Sequence, residues 1–293
     1  MKEKIYEEFG YKVDVLTYHR EYISFFYNGF YYLVQASELS ADTIRELSQI
    51  IEFLENYNIF FHQFIRGFND YLFNYNNKKY VLMKVRIFYE REITLNEILA
   101  LSSINIDKLN LNIINPAQRI ENKIDFLEQY IANYEKNYAL EDLNYYIGLS
   151  ENAILLYNLI EVKNISIAHK RIHKKERPID FYNPLNIILD TKSRDLAEYV
   201  KTTFFESNHN LIFDSLQHLK LEEWPFYFAR LLYPSYYFDC LEDIIIHNTD
   251  LNCQKKISQK ANEYEKNLKQ LYTLMQRYIN VPTIEWLSDI DDF

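Results

Sequence analysis

The residues best suited to chemistry lie between Ile167 and Val200, in the sequence "IAHKRIHKKERPIDFYNPLNIILDTKSRDLAEYV". A polar loop rich in histidine and basic residues precedes an apolar run that ends in Asp190, and Asp195 follows soon after. Phosphoryl transfer needs similar parts: a carboxylate accepts the proton of the nucleophile, and carboxylate and amide oxygens hold Mg²⁺ between the phosphates. The pattern therefore indicates either a phosphotransferase site or the scaffold of one.

Glycine usage argues against a phosphate-binding loop. Both the dinucleotide motif and the P-loop need clustered glycines, because backbone N–H groups must approach the phosphates closely. The chain has only 4 glycines, and they are isolated from one another: Gly10, Gly29, Gly67 and Gly148. The sequence predicts no glycine-rich loop of either kind.

The first third of the chain combines short strands with one helix. Three segments rich in β-branched and aromatic residues predict strands, and Asn28-Gly29 between the second and third predicts a type I′ hairpin. Residues 40–58 then place apolar side chains at helical spacing behind Ser40, a suitable N-cap. Three further strands are predicted before Arg86. This order predicts a small antiparallel sheet that carries one helix.

Helices dominate from Thr94 onward. Thr94 and Glu97 predict a capping box, and Asn115-Pro116 predicts a helix with proline at its first position. Further helices are predicted from Ser150 and in three later segments: "FFESNHNLIFDSLQHL", "EEWPFYFARLLY" and residues 252–279. We therefore predict an α+β fold of two lobes, a β-rich lobe at 1–88 and a mainly helical lobe at 89–293.

Composition disfavours several classes of partner. The formal net charge of -10 opposes binding to nucleic acid or to an anionic bilayer. No run approaches the roughly 18 apolar residues of a membrane span, and the start "MKEKIYEEFG" lacks the apolar core of a secretory signal. Cys240 and Cys253 show neither a CxxC motif nor metal-ligand spacing, so we expect reduced, structural thiols.

The order of motifs resembles the aminoglycoside-phosphotransferase-like kinases of the protein-kinase-like superfamily. Their catalytic loop has the form H-G-D-x-H-x-x-N, and a strand ending in a metal-binding aspartate and a helix marked D-L-A follow it. Here "HKRIHKKE" at 169–176 keeps both histidines, "NIILD" ends in Asp190, and "RDLAEYV" supplies the helix. Four segments resemble more closely the spore coat branch, the CotS and YutH proteins: "LDTKSRDLAEYV", "IYEEFGYKV", "GFYYLVQASEL" and "GLSENAI".

The resemblance has implications for fold, location and partners. It implies a protein-kinase-like architecture with a small antiparallel-sheet lobe and a larger helical lobe. It also implies a place in the endospore coat, synthesis in the mother-cell cytoplasm, and other spore coat proteins as partners.

Three positions depart from the family pattern. Arg171 stands where the family has its catalytic base, and a guanidinium stays protonated and accepts no proton. Glu176 stands where the family has a metal-binding asparagine, although a carboxylate can still bind Mg²⁺. Gln35 occupies the position of the strand lysine that pairs with ATP phosphates. Lys84 lies after the helix and is expected to be an ordinary strand or surface lysine, and Glu46 and Glu52 to be solvated carboxylates.

A rival register aligns "FYNPLNIILD" with the catalytic loop instead. It would make Asn186 the metal ligand, place Phe181 at the base position with Asp180 one residue away, and leave Asp195 as the later metal aspartate. Asp195 follows too closely to allow an intervening strand and turn, so we prefer the first register. Neither register places a carboxylate at the base position.

The remaining motif residues are expected to have structural or anion-binding roles. His169 and Asp195 are interpreted as structural, because a carboxylate at a helix start is stabilised by free N–H groups and by the helix dipole. Asp190 is either a relic of metal binding or a turn residue, and we expect it to have fewer partners than Asp195. Four basic residues could bind an acidic segment or a phosphate, or be solvated: Arg171, Lys174, Lys175 and Arg177.

Two hypotheses about function follow. The first is a catalytically inactive kinase-like protein that acts as a structural or binding component of the spore coat and needs no cofactor. The alternative is a divergent small-molecule phosphotransferase in which Asp190 and Glu176 hold the metal of Mg-ATP.

Overall fold

The computed structural model describes residues 1–87, 90–104, 106, 115–131, 142–159, 165–172, 177–207, 209–247 and 252–288. These residues form two compact units. The first contains Met1–Ile93 and the described part of Lys175–Ile187, and the second contains the other described residues from Thr94 onward. The first unit is therefore not one continuous segment, and the boundary near residue 88 stays a prediction.

The first unit is built on an antiparallel sheet. Helix α1 (Lys2–Phe9) precedes strands β1 (Thr17–Tyr18), β2 (Tyr22–Tyr27) and β3 (Phe30–Ala36), and helix α2 (Ala41–Glu55) leads to β4 (Gln63–Ile65), β5 (Leu72–Tyr75) and β6 (Lys78–Lys84). The strand order is β1-β2-β3-β6-β4, and β5 also pairs with β6. The sequence predicts these strands and α2, but it does not predict α1, whose eight residues have few apolar positions.

Two hairpins of this sheet follow from their turn residues. Asn28 and Gly29 have φ angles of 48° and 82°, and Asn76 and Asn77 have φ angles of 48° and 59°. Type I′ turns require positive φ at both central positions, which asparagine and glycine tolerate best. The predicted hairpin at Asn28-Gly29 is confirmed, with Tyr27 paired to Phe30 across it.

A later segment of the chain packs within the first unit. It consists of helix α6 (Pro178–Phe181) and a short 3-10 helix (Pro184–Asn186). The 3-10 helix packs against α2, and the Phe61 ring meets the Tyr182 ring edge-on at 5.5 Å. This segment supplies polar partners to the sheet.

The second unit is mainly helical. Its helices are α3 (Leu95–Ser102), α4 (Pro116–Ile131), α5 (Leu143–Leu159), α7 (Arg194–Glu206), α8 (Trp224–Leu232), α9 (Ser235–His247), α10 (Asn252–Gln276) and α11 (Glu285–Ser288). A two-stranded sheet pairs β7 (Ile165–His169) with β8 (Ile187–Thr191). The capping box of Thr94 and Glu97 is confirmed, as is the helix that begins at Pro116.

Two helix predictions are wrong in the second unit. The helix expected from Ser150 begins at Leu143, and Ser150 lies buried inside it, where its hydroxyl donates to the Tyr146 carbonyl. The helix expected from Phe204 through Leu219 instead ends at Glu206, and a short 3-10 helix covers Asp214–His218. The intervening Asn210 accepts a hydrogen bond from the Ile212 N–H, a local contact that competes with helix formation.

Tyrosines account for much of the helical core. The rings of Tyr146 and Tyr237 stack at 3.7 Å between centroids. Buried tyrosine hydroxyls reach backbone carbonyls, as from Tyr227 to Ile212 at 3.1 Å and from Tyr264 to Leu231 at 2.8 Å. These hydrogen bonds satisfy the buried hydroxyls of Tyr227 and Tyr264.

Candidate functional site

Asp190 is the most completely surrounded of the predicted site residues. It lies in β8 with 0% of its surface exposed. One of its oxygens accepts hydrogen bonds from Arg119 Nη1 at 2.8 Å and Arg194 Nη1 at 2.9 Å. The other accepts from the Thr191 N–H at 2.7 Å. The expectation that Asp190 has fewer partners than Asp195 is wrong, because two arginines converge on it.

The two arginines are themselves fixed by backbone carbonyls. Arg119 extends from α4 and donates to the Leu189 carbonyl at 2.6 Å. Arg194, the first residue of α7, donates to the carbonyls of His169 and Lys170, each at 3.1 Å. Burial lowers the pKa of Arg119, and attraction to Asp190 opposes that shift. We call Arg119, Asp190 and Arg194 the aspartate cluster; it holds two positive charges against one negative charge.

Asp195 holds the end of β7 against the start of α7. Its two oxygens accept from the His169 N–H at 3.0 Å and from His169 Nδ1 at 2.6 Å. Both residues are buried. Asp195 also lies in the first turn of α7, where free N–H groups favour a carboxylate. The geometry suits the structural roles expected of His169 and Asp195.

Further along α7, Glu198 anchors this helix to the following ones. It pairs with Arg230 of α8 and with Lys201 at 2.8 Å. Lys201 also donates to the carbonyls of Arg230 and Tyr233. Burial opposes ionisation of Glu198, but Arg230 and Lys201 outweigh it and hold its pKa well below the usual range. Ion pairs therefore hold helix α7 to its neighbours both at its first residue and further along the helix.

Arg171, at the expected position of the catalytic base, is paired within its own unit. Its Nη2 lies 2.8 Å from Glu242 and 3.2 Å from Asp239, both on α9. Glu242 also pairs with Lys123 of α4 at 2.6 Å. Burial works to lower the pKa of Arg171, but Asp239 and Glu242 raise it above its ordinary value. This position carries a fixed positive charge instead of a proton acceptor.

Gln35, at the expected position of the ATP lysine, forms a hydrogen bond between neutral groups within the first unit. Its side-chain oxygen accepts from Asn183 Nδ2 at 2.8 Å. Separately in the same unit, His62 Nε2 lies 2.9 Å from the Ile179 carbonyl, and its Nδ1 accepts weakly from the Arg86 N–H at 3.4 Å. Burial lowers the pKa of His62 to about 4. We call these two separate hydrogen-bonded pairs, Gln35 with Asn183 and His62 with Ile179, the neutral cluster, because both join the first unit's earlier residues to the segment around α6 without a charge.

The histidine-rich loop is only partly described. Lys174, Lys175 and Glu176 lie outside the described residues, so their anion-binding and metal-binding roles stay predictions. Arg177 is exposed and precedes α6. Burial raises the pKa of Asp180, and Arg177 opposes this shift.

Asp180, Phe181 and Asn186 of the rival register lie within the first unit, whereas its later aspartate, Asp195, lies in the second. Phe181 is buried, and Asn186 Nδ2 donates to the Asp180 carbonyl at 3.2 Å. In this arrangement Asn186 ties the 3-10 helix to α6.

The other candidates on the first unit have simple contacts. Lys84 lies with its ammonium 3.2 Å from the centroid of the Phe30 ring, a cation–π contact on the sheet. Glu46 and Glu52 are exposed on α2. These positions match the ordinary roles predicted for them.

The described groups around Asp190 do not fit a divalent cation bound to its carboxylate. A metal-binding aspartate must offer free carboxylate lone pairs to a divalent cation. Asp190 directs its oxygens at two guanidinium groups and a backbone N–H, and two arginines would repel a cation placed beside them. Among the described residues, no three His, Cys, Asp or Glu side chains are grouped so that they could hold a metal ion.

Arg119 and Arg194 are site residues that sequence reasoning did not identify. A signal for Arg194 was present, because a positive charge in the first turn of a helix is opposed by the helix dipole and needs a compensating partner. Asp190, four residues earlier, is that partner. No local signal marks Arg119, which lies 71 residues from Asp190.

Similar solved structures define the class of fold. An aminoglycoside phosphotransferase from Alicyclobacillus acidocaldarius subsp. acidocaldarius is 10% identical, with a TM-score of 0.60 over 90% of this chain and 93% of that one. A spectinomycin phosphotransferase crystallised with ADP and spectinomycin is 14% identical, with a TM-score of 0.51 over 92% of each chain. At these identities the likeness establishes the fold alone: an α+β, kinase-like fold of the aminoglycoside phosphotransferase type, as predicted.

Sequence comparison identifies the family within this class. The family model described as "Spore coat putative kinase YutH" matches residues 116–279, more than half of the 293 residues, so the chain belongs to the YutH spore coat family. The endospore coat-associated protein YutH of Bacillus subtilis (strain 168) is 26% identical over 180 aligned residues. The alignment covers 51% of this chain and 52% of that protein, so the chain spans about half the length of this curated relative.

Within the described ranges, no helix combines the length and the apolar character needed to cross a bilayer.

Proposed function

We propose that the chain is a kinase-like component of the endospore coat that binds or supports other coat proteins and does not transfer phosphate. The observation that carries this proposal is the aspartate cluster. The carboxylate expected to bind metal is held by Arg119 and Arg194 at 2.8 and 2.9 Å. Removing a carboxylate from a buried ion pair of this kind is unfavourable, because it would leave buried guanidinium groups unpaired.

The position expected to supply the base supports the same conclusion. Arg171 donates to Glu242 and lies beside Asp239, so a proton acceptor is replaced by a permanent charge with partners of its own. Gln35 offers a neutral amide where the phosphates would need a positive charge. Two substitutions and one retained aspartate held by arginines thus act against three separate parts of phosphoryl transfer: proton removal, charge neutralisation and metal binding.

The coat location is supported by the family and by the Bacillus subtilis relative. That relative is endospore coat-associated. We extend this location, synthesis in the mother cell and association with other coat proteins to the present chain. No cofactor is part of the proposed function.

Titration calorimetry of the full chain with Mg-ATP, carried to millimolar nucleotide, tests the catalytic half of the proposal. We expect no saturable heat, whereas an active aminoglycoside phosphotransferase titrated in parallel serves as the positive control. Saturable binding in the micromolar range that disappears in the isosteric Asp190→Asn variant would establish the alternative, a phosphotransferase that uses Asp190 for metal. Glu176→Gln is the companion variant for the second ligand of that alternative.

A coat-assembly measurement tests the binding half. Spores carrying Arg171→Ala, Lys174→Ala and Lys175→Ala together are compared with spores carrying Lys78→Ala and Lys79→Ala, which remove exposed charge from the sheet hairpin. Docking through the basic loop predicts less protein in the coat fraction for the first variant only, at an unchanged total level. Because a folding defect lowers the total level as well, that level separates the two causes. Undiminished recovery of the triple variant excludes the loop as the docking surface.

A further inference from the structure

The two cysteines of the chain lie side by side. The sequence contains 2 cysteines, Cys240 and Cys253, and it gives no indication that they meet. Cys240 lies in α9 and is buried, whereas Cys253 is the second residue of α10 and is exposed. The two helices pack against each other, and the two side chains are hydrogen-bonded. Tertiary structure therefore creates a dithiol from isolated residues.

The two thiols have different electrostatic surroundings. The hydrogen bond with Cys240 lowers the pKa of Cys253, and Lys256 shifts it in the same direction, while burial and Asp243 oppose them. The same hydrogen bond, together with burial, raises the pKa of Cys240. Cys253 also lies in the first turn of a 25-residue helix, where the dipole stabilises a thiolate. The exposed Cys253 thus has a lowered pKa, which favours its reactive thiolate form, and stands beside a buried thiol.

We propose that Cys240 and Cys253 form a redox-sensitive site that a peroxide converts into an intrachain disulfide between α9 and α10. This site is separate from the aspartate cluster and does not depend on the function proposed above. A disulfide requires the sulfurs to approach to about 2 Å. Because α9 and α10 already pack against each other and the two thiols interact, side-chain rotation can supply part of this approach.

The chemistry balances with one molecule of hydrogen peroxide. The Cys253 thiolate attacks one peroxide oxygen, the O–O bond breaks, and the sulfur becomes a sulfenic acid as the other oxygen leaves as water. The Cys240 sulfur then attacks the sulfenic sulfur, its thiol proton leaves with the departing hydroxyl as water, and the S–S bond forms. Two thiols are oxidised by two electrons in total, and the peroxide is reduced to two molecules of water.

The test uses the purified full chain, reduced and then freed of reductant. After exposure to hydrogen peroxide, thiols are titrated in denaturant and the intact mass is measured. We expect both thiols to be lost, the mass to fall by two hydrogen atoms, the chain to stay monomeric on a non-reducing gel, and dithiothreitol to restore both thiols. Retention of both thiols, a gain of oxygen atoms in place of the loss of hydrogens, or a covalent dimer would overturn the proposal.

Two variants assign the order of reaction. In Cys253→Ser, which changes an exposed residue, the remaining buried thiol should be lost at least about tenfold more slowly than the thiols of the parent chain. In Cys240→Ser, Cys253 should stop at the sulfenic acid and be labelled by dimedone. Because Cys240 is buried, Cys240→Ala is prepared as a second variant, and circular dichroism identifies which of the two is folded. Equal rates of thiol loss in Cys253→Ser and in the parent would show that Cys253 does not react first.

Discussion

The aspartate cluster and the neutral cluster stabilise buried polar groups in opposite ways: the first pairs opposite charges, and the second joins neutral groups by hydrogen bonds. Each contains a position where the sequence motifs predict a charged group in an active phosphotransferase. In the neutral cluster Gln35 and His62 are uncharged and form hydrogen bonds to an amide and a carbonyl. In the aspartate cluster the carboxylate of Asp190 is kept and is matched by two arginines. A buried charge that is retained needs counter-charges, whereas a neutral group needs only hydrogen bonds.

The largest effect should come from Asp190→Ala. The change leaves Arg194 buried and Arg119 partly buried without their carboxylate, which should lower the free energy of unfolding by about 3–5 kcal/mol. Urea unfolding followed by circular dichroism measures it. Asp190→Asn keeps the volume and one acceptor oxygen and should lose less, and adding Arg194→Met to Asp190→Ala should recover part of the loss. A change below about 1 kcal/mol would contradict the role of the cluster.

The second effect is a pH dependence from His62 of the neutral cluster. Its pKa in the folded chain is about 4, below the ordinary value of 6.5, because the buried ring disfavours the charged form. Between these values the unfolded chain binds the proton and the folded chain does not, so stability is fully present above pH 6.5 and falls as the pH drops toward 4. The full loss amounts to about 3 kcal/mol.

Unfolding free energies measured from pH 7.5 to 4 test this contribution against a variant. His62→Gln retains a donor for the Ile179 carbonyl but has no proton to gain in this range. We expect a shallower decline of stability with falling pH in His62→Gln than in the parent. Identical slopes for the two chains would assign the acid sensitivity to other groups.

A third effect should follow from Asp195→Ala. The change removes the acceptors for the His169 N–H and for His169 Nδ1, both buried, and it should cost about 2 kcal/mol. Asp195→Asn keeps one acceptor oxygen and serves as the matched variant. Melting temperatures of both Asp195 variants, measured together with that of Asp190→Ala, show which aspartate contributes more to stability. A larger loss of stability for Asp195→Ala than for Asp190→Ala would contradict the predicted order of these two substitutions.

The smallest effect should come from Gln35→Ala. It removes one hydrogen bond between neutral, partly buried groups, which should cost about 0.5–1 kcal/mol. Gln35→Lys restores the residue type expected at an ATP site, but it replaces the acceptor of Asn183 by a donor and should destabilise the first unit at least as much. The denaturant midpoints of both variants measure how much stability each substitution removes. If Gln35→Ala costs as much as Asp190→Ala, neutral and charged clusters are equally important.

Local elements were largely predictable from local residues. Asn28-Gly29 specifies a type I′ hairpin, and Thr94 with Glu97 specifies a helix start, because the required φ angles and hydrogen bonds lie within a few residues. The prediction of a helix start at Ser150 failed for a reason that is not local to that residue. Ser150 resembles a helix cap in sequence, yet it lies inside α5 because the apolar face of that helix is buried from Leu143 onward.

The sequence by itself determined the order of strands and helices, the position of Asp190 at a strand end and of Asp195 at a helix start, and the family to which the chain belongs. These features depend on neighbours along the chain or on motif spacing. Only the tertiary structure decided that Asp190 meets Arg119, that Arg171 meets Glu242, and that Cys240 meets Cys253. The physical reason is that a charge or a thiol acquires its properties from groups that folding brings within a few ångströms of it, whatever their separation in sequence.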